Sequence, residues 1–342
     1  MEEALSVAIG DPACSNSPGR RARLMLDDLE SRTASIMGGS TAIFLGSGAM
    51  ASAMAVLSAG RTALSRGRPG VVASSLEPSP VVSALRMLRE EGCRISTLEA
   101  GGDCRVSPGA LVDLITEDTG LVVCSWACGE SGVMQPMEEI SGICREKGAW
   151  LHTDASNVVG RIPVNAAGEG IDSLTIDSLK LGGPSGAAAV VLGDTQGLPL
   201  EGVPEFTLDT SIPSVCGMVA ALECSIAGIE AWGRIVNGMR RDIFSGLDSC
   251  GLRYSIIGGS RDALVPGAAM VSVDSPEGRL HAEMEMEGVV LPSYNSPRRL
   301  SFLRRTGLDM THPDRYVGFS LDSRNTGVDV ERFVRSMSRA AG

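Results

Sequence analysis

The sequence lacks an excess of basic residues. Its 342 residues include 30 Lys and Arg against 41 Asp and Glu, which gives a formal net charge of −11, and no basic stripe interrupts this balance. A nucleic-acid-binding surface would show clustered lysine and arginine side chains. The charge therefore argues against nucleic acid as a partner.

Segments that would direct the chain into or across a membrane are also missing from the sequence. Residues 1–6 are acidic and carry no apolar run, so we expect no secretory signal and a cytoplasmic location. Only residues 41–60 are long and uncharged enough to resemble a membrane span. Their glycines, with Arg61 directly after them, favour a strand, a turn and a buried helix, so we predict no transmembrane segment.

The nine cysteines show no recurrent spacing. Such a set fits a reducing compartment better than a framework of disulfides. Cys124 and Cys128 lie four positions apart, but no histidine or second cysteine pair completes a set of metal ligands. We therefore expect buried thiols at these two positions and no metal site.

Short apolar runs alternate with helical patterns through the first part of the chain. Strands are predicted over residues 41–45, 71–74, 94–98, 121–125, 150–153 and 174–176. The alternation is typical of an α/β fold with a parallel sheet. We predict a large α/β domain over residues 1–212.

The pattern changes in the second part of the chain. A long helical region is predicted at residues 214–247, followed by strands at 252–257, 269–273 and 288–291 and by a helix at 329–338. Residues 213–342 are therefore predicted to form a linking helix and a smaller α+β domain.

An acid and a lysine stand where two successive strands are predicted to end. Asp154 closes the apolar run at residues 150–153, and Lys180 follows the run at residues 174–176. Open α/β sheets place their ligands at the carboxyl ends of strands. A lysine can form a Schiff base with the aldehyde of pyridoxal phosphate, while an acid keeps the pyridine nitrogen protonated. The alternative is an ordinary strand-end aspartate with a surface lysine.

The same stretch resembles the class V, fold-type I pyridoxal-phosphate enzymes, and most closely the NifS-like cysteine desulfurases. The family pattern runs HVDA, GKIPVD, SGHK and GPKG. The corresponding segments here are HTDA from His152, GRIPV from Gly160, DSLK from Asp177 and GPSG from Gly183.

The resemblance implies a fold and a cofactor. The fold is a large domain with a mostly parallel seven-stranded sheet and a smaller C-terminal α+β domain. Compared with the family, the large domain is expected to be shortened at its N-terminal end. The cofactor is pyridoxal 5′-phosphate, with Lys180 as the Schiff-base lysine and Asp154 on the ring nitrogen. The resemblance also implies a homodimer, in which Thr210 is the candidate to reach the phosphate of the neighbouring subunit.

Further cofactor contacts are expected around a glycine turn that leads into a helix. Backbone N–H groups at a helix N-terminus form a ready site for an anion such as the cofactor phosphate. The remaining cofactor-binding residues that we predict are Ser47, Gly48, Ala49, Asn157 and Ser178.

The sequence departs from the family pattern at several of these contacts. Asp177 replaces a serine that donates to the phosphate, and a carboxylate would repel that group. Other cofactor contacts of the family are replaced by Met50, Ser79, Gly129 and Leu179.

The nucleophilic cysteine of a desulfurase is also missing, because no cysteine follows Cys250. Ser293 and Ser296 lie in the corresponding loop, but removal of sulfur to a persulfide needs an attacking thiolate. Gly318 takes the place of the arginine that binds the substrate carboxylate, and Arg315 or Arg324 are nearby candidates to replace it.

These observations leave three functions open. The first is a pyridoxal-phosphate-dependent enzyme that acts on cysteine or another small amino acid, using a thiol from elsewhere or none, with a sulfur-acceptor protein as a candidate partner. The second is a catalytically impaired desulfurase-like subunit that serves in dimerisation or partner binding. The third is a class V aminotransferase or lyase, which needs no thiol. The retained pair of Lys180 and Asp154 favours an enzyme.

Overall fold

The computed structural model describes residues 10–193, 210–274, 280–292 and 295–341. The chain divides into two compact units. Unit 1 consists of Met1–Leu98, Pro108–Trp126 and Pro136–Ala227, and unit 2 consists of Glu99–Ser107, Ala127–Gln135 and Gly228–Gly342. Each unit is therefore built from three separate segments of the chain. The domain boundary predicted from the sequence at residue 212 stays a prediction.

Unit 1 is built on a seven-stranded sheet. Its strands are β1 (Thr41–Leu45), β2 (Gly70–Ser74), β3 (Arg94–Leu98), β4 (Thr119–Val123), β5 (Trp150–Asp154), β6 (Ser173–Asp177) and β7 (Ala188–Leu192). Their order in the sheet is β1-β7-β6-β5-β4-β2-β3. Only β7 runs antiparallel to its neighbours, and the other pairs are parallel. The prediction of an α/β fold with a mostly parallel seven-stranded sheet is confirmed.

Among the described residues, five α-helices lie in unit 1 along their whole length. They are α1 (Ser17–Ile36), α2 (Gly48–Ser65), α3 (Ser79–Glu90), α4 (Pro108–Leu114) and α5 (Met137–Lys147). Polar caps determine where two of them begin. The side chain of Asn16 accepts a hydrogen bond from the Gly19 N–H at 2.8 Å, and that of Ser47 accepts one from the Met50 N–H at 3.2 Å. Such caps satisfy backbone donors that a first helical turn leaves unpaired.

The core of unit 1 lies between the sheet and its helices. Strands β2 and β4 are buried along their whole length, as expected for parallel strands that are covered on both faces. Small residues let helix α2 approach α3 closely. A Cβ placed on Gly60 of α2 would lie 2.4 Å from Cδ1 of Leu88 in α3, so a larger residue at this position would push the helices apart.

The second part of the chain begins with the long helix α6 (Ile212–Ser249), which starts in unit 1 and ends in unit 2. Unit 2 also contains the strands β8 (Tyr254–Ile256), β9 (Ala268–Val273) and β10 (Tyr316–Ser320), which form an antiparallel sheet in the order β10-β9-β8. Its described helices include α7 (Leu280–Met286), α8 (Pro297–Thr306) and α9 (Gly327–Ala341). The mixture of helices and strands agrees with the predicted α+β fold.

The strand predicted at residues 288–291 is wrong. Helix α7 ends at Met286, and Gly288 then adopts a left-handed conformation with φ of 81°, which turns the chain instead of extending it. The third strand of the small sheet is β10, which pairs antiparallel with β9.

Helix α6 has an unusual composition. In the part of the chain that the structure describes, it is the one helix that is long and apolar enough to cross a membrane. A core helix of a soluble protein meets the same criteria, so this is weak evidence. The absence of a transmembrane segment stays a prediction.

Candidate active site

The predicted acid and lysine lie at the same edge of the sheet in unit 1. Strands β5 and β6 are parallel neighbours, with Asp154 paired in register with Thr175. Asp154 is the last residue of β5, and Lys180 lies in the short 3-10 helix Ser178–Leu181 that directly follows β6. Because parallel neighbours end at the same edge, the structure brings both residues to the carboxyl side of the sheet, where α/β folds bind ligands.

Two hydrogen bonds hold the partly buried carboxylate of Asp154. The hydroxyl of Ser52 in α2 donates to Oδ2 at 3.3 Å, and the N–H of Ser156 donates to Oδ1 at 2.9 Å. Burial raises the pKa of Asp154, the hydrogen bonds from Ser156 and Ser52 lower it, and the charge of Asp177 raises it. The net direction is upward, so this acid holds its proton more readily than an ordinary aspartate does. Ser52 was not predicted from the sequence.

Lys180 presents an accessible amine. Its side chain is exposed and makes no hydrogen bond or ion pair with any residue that the structure describes. The sequence contains only one other lysine, Lys147, in the last turn of α5. A chain that otherwise uses arginine for its positive charges therefore has one of its two lysines at the ligand-binding edge of the sheet.

Helix α2 begins at the same edge. Gly48 is its first residue, and Ala49 and Met50 follow in the first turn. The carboxylate of Asp177 lies against this turn, because a Cβ placed on Gly48 would be 2.5 Å from Oδ2 of Asp177. The other oxygen, Oδ1, accepts a hydrogen bond from the N–H of Leu179 at 3.0 Å. The predicted phosphate site therefore has a carboxylate beside it.

The remaining predicted contacts are spread around this edge. Asn157 lies in the turn after β5 and is half-buried. Ser178 is buried, and its hydroxyl makes no hydrogen bond with the described residues. The hydroxyl of Thr210 donates to the carbonyl oxygen of Phe44 in the same chain at 3.3 Å. Ser79, one of the residues that depart from the family pattern, is the first residue of α3.

A buried glutamate at the end of β2 was missed by the sequence analysis. Glu77 is 1% exposed, and its carboxylate accepts hydrogen bonds from the backbone N–H of Ser125 at 2.7 Å and from the Ser125 hydroxyl at 2.8 Å. Ser125 follows β4, the neighbour of β2. Glu77 thus ties two strand ends together, and it adds a third carboxylate to the edge that carries Asp154 and Asp177.

Two buried cysteines of unit 2, Cys104 and Cys128, do not offer a thiolate. All nine lie among the described residues and are free thiols. Burial raises the pKa of Cys128, and it raises that of Cys104 to about 12. Both thiols are buried in unit 2, so they are protonated near neutral pH and are poor nucleophiles.

Unit 2 contains a buried arginine beside Gly318. Arg299 is 2% exposed and forms an ion pair with Glu130, with 3.4 Å between Nε and Oε2. A Cβ placed on Gly318 would lie 3.5 Å from Nη2 of Arg299. The two arginines considered from the sequence pair with surface carboxylates instead: Arg315 with Asp309 at 3.5 Å and Arg324 with Asp322 at 2.9 Å.

Comparison with known proteins supports the family suggested by the sequence motifs. The family model for class-V aminotransferases matches residues 15–202. The mitochondrial cysteine desulfurase of Arabidopsis thaliana is 26% identical over 277 residues, which cover 77% of this chain and 61% of that protein. Cysteine desulfurase IscS of Dictyoglomus turgidum is 28% identical over 194 residues, 56% of this chain and 49% of that protein. The matches to these two relatives thus span about half to three-fifths of their length.

Solved structures show the same fold. A NifS-like protein aligns with a TM-score of 0.84 at 22% identity, covering 96% of this chain and 91% of that chain. A NifS-like protein from Rickettsia africae aligns with a TM-score of 0.80 at 20% identity, covering 99% and 94%. The chain belongs to the class-V aminotransferase family of pyridoxal-phosphate enzymes, and it is similar to NifS-like proteins and to cysteine desulfurases.

Proposed function

We propose that the protein is a pyridoxal-dependent enzyme that binds the cofactor aldehyde through Lys180 and acts on cysteine or another small amino acid. The observation that carries the proposal is the placement of Lys180 and Asp154 beyond the carboxyl ends of two neighbouring parallel strands. This placement matches the ring end of the family's cofactor, which needs an amine and an acid. When bound, pyridoxal phosphate supplies an aldehyde and an electron-withdrawing ring.

Each residue has a separate role in this proposal. Lys180 would hold the cofactor through its aldehyde, and its amine could move a proton at the substrate Cα. Asp154 would accept a hydrogen bond from the ring nitrogen, and the burial that raises its pKa would favour a proton shared between the two groups. Ser52 and Ser156 fix the orientation of the carboxylate through their hydrogen bonds.

The phosphate end of the cofactor fits the pocket less well than the ring end. The first turn of α2 could present N–H groups to a phosphate, but the carboxylate of Asp177 lies against Gly48 in that turn. The hydroxyl oxygen of Ser47 already accepts the N–H of Met50 as the helix cap. Among the predicted contacts, the buried hydroxyl of Ser178 is available to donate to a ligand.

The lack of an activated thiol favours reactions that need none. Sulfur removal to a protein persulfide requires a thiolate, whereas burial raises the pKa of Cys128 and Cys104. Within the proposed enzyme class, transamination or elimination is therefore better supported than the desulfurase reaction. Should the protein instead transfer the sulfur of cysteine as a persulfide, an acceptor protein would have to supply the thiol.

A second candidate is a catalytically impaired subunit that serves in dimerisation or partner binding. The observation that favours it is the surface of α6, since only 28% of the residues in its most apolar stretch are buried within the single chain. An apolar surface of this kind is suited to an interface with a second copy of the chain. We propose a homodimer in the cytoplasm for either candidate.

The two candidates are separated by adding single amino acids to the protein in the presence of pyridoxal phosphate or pyridoxal. An enzyme gives a keto acid, or sulfide from cysteine, and Lys180→Ala abolishes the product while Lys147→Ala does not. A cofactor that attaches to Lys180 without any product from any amino acid would favour the impaired subunit.

A further inference from the structure

The chain places its own anion against the start of α2. This helix is 18 residues long and begins at Gly48 directly after its cap, so its first N–H groups carry a partial positive charge. A Cβ on Gly48 would lie 2.5 Å from Oδ2 and 2.9 Å from Cγ of Asp177. Only a glycine at this position admits the carboxylate, which lies where an anionic group of a ligand would approach the helix.

The carboxylate of Asp177 is also held in place. Its Oδ1 caps the short helix that carries Lys180, through the hydrogen bond from the Leu179 N–H at 3.0 Å. Its backbone ends β6 and is paired with Ala188 of β7. The side chain cannot turn away from α2 without uncapping the turn that positions the lysine.

Two other acidic side chains lie at this edge of the sheet. Asp154 ends β5, and the buried carboxylate of Glu77 follows β2. The charge of Asp177 is one of the causes that raise the pKa of Asp154, so these two carboxylates interact. A phosphate ester carries a charge of about −1.5 to −2 near neutral pH and would add to this negative charge.

We propose that this pocket prefers a pyridoxal-type aldehyde ring without a phosphate over the phosphorylated form, and that Asp177 sets this preference. The inference rests on the proposed function, because it needs Lys180 to bind the aldehyde. The ring end meets the amine and the acid in the usual way. At the other end, an uncharged substituent meets the Asp177 carboxylate without repulsion, whereas a phosphate does not.

The test compares two aldehydes, pyridoxal 5′-phosphate and 5′-deoxypyridoxal, which lacks the phosphate and cannot cyclise. Their dissociation constants are measured by equilibrium dialysis, and borohydride reduction with peptide mapping identifies the lysine that carries each ring. For the wild-type protein we expect 5′-deoxypyridoxal to bind more tightly than the phosphate form.

Asp177→Asn removes the charge while keeping the side-chain size and an acceptor for the Leu179 N–H. We expect it to tighten binding of the phosphate form by about tenfold, or about 1.4 kcal/mol, and to leave binding of 5′-deoxypyridoxal nearly unchanged. The matched control is Asp172→Asn. Asp172 directly precedes the first residue of β6, whereas Asp177 is its last residue, and the Asp172 carboxylate accepts a hydrogen bond from the Leu151 N–H at 2.7 Å. This control should not change the preference. Asp177→Ser serves as a second variant should Asp177→Asn fail to fold.

The outcomes separate this inference from the proposed function. Wild-type protein that binds the phosphate form at least tenfold more tightly, with the same preference after Asp177→Asn and Asp177→Ser, would overturn the inference and leave the proposed function standing. Failure of both aldehydes to attach to Lys180 would overturn the proposed function, and the inference with it.

Discussion

His152 makes the stability of the fold depend on pH. The ring lies in the middle of β5 and is 1% exposed; its Nδ1 is 2.8 Å from the Ser173 hydroxyl, and its Nε2 has no hydrogen-bond partner among the described residues. Burial lowers the pKa of His152 to about 4. The unfolded chain has a histidine pKa of about 6.5, so protonation favours the unfolded state. The stability contributed by the neutral ring is complete above that value and is lost as the pH falls toward 4.

The size of this effect follows from the two pKa values. Each pKa unit of difference corresponds to about 1.4 kcal/mol, so the full effect is about 3 kcal/mol, of which about 2 kcal/mol develops between pH 7.5 and pH 5. The free energy of unfolding is measured by urea titration at pH 7.5 and at pH 5, with circular dichroism as the signal. We expect the decrease between these two pH values to be about 2 kcal/mol larger in the wild type than in His152→Gln.

The control is His312→Gln, which changes an exposed ring. It should lose stability with falling pH as the wild type does. Equal losses in the wild type and in His152→Gln would refute the reasoning, because the buried ring would then take up its proton as easily in the folded state as in the unfolded state.

Two further substitutions test the carboxylates at the edge of the sheet. Ser52→Ala removes the hydroxyl that donates to Asp154 and should weaken binding of 5′-deoxypyridoxal by about three- to tenfold in equilibrium dialysis. The control is Ser65→Ala at the other end of α2. Equal affinities of the two variants would show that the Ser52 hydroxyl does not assist Asp154. Glu77→Ala leaves two buried donors of Ser125 without an acceptor and should lower the free energy of unfolding by about 3 kcal/mol. The control Glu91→Ala breaks a surface ion pair with Arg61 and should lower it by less than about 1 kcal/mol. Similar losses in urea unfolding for these two variants would contradict the role given to Glu77.

The sequence predicted the strands of unit 1 and the location of its acid and lysine for a simple reason. Buried parallel strands are short apolar runs, and a polar residue that ends such a run must lie at the edge of the sheet. Asp154 and Lys180 were found in this way. Ser52 was not found, because it reaches Asp154 from a helix that begins more than a hundred positions earlier in the chain, and only the packed structure shows that contact.

Other features depend on packing that no local pattern contains. Residues 288–291 have the composition of a strand, but the left-handed Gly288 ends a helix there, and β10 pairs with β9 instead. The expected repulsion between Asp177 and a phosphate was visible in the motif. The structure adds the close approach of this carboxylate to Gly48.

The attachment of a pyridoxal ring to Lys180 is the most direct test of the account. The protein is incubated with pyridoxal 5′-phosphate or 5′-deoxypyridoxal, reduced with borohydride and digested, and the modified peptide is identified by mass. The two lysines make the result unambiguous, since Lys147 is also exposed and serves as an internal control. We predict that the ring is found on Lys180, that Lys180→Ala abolishes the label and that Lys147→Ala leaves it intact. Equal labelling of both lysines, or none, would contradict the account.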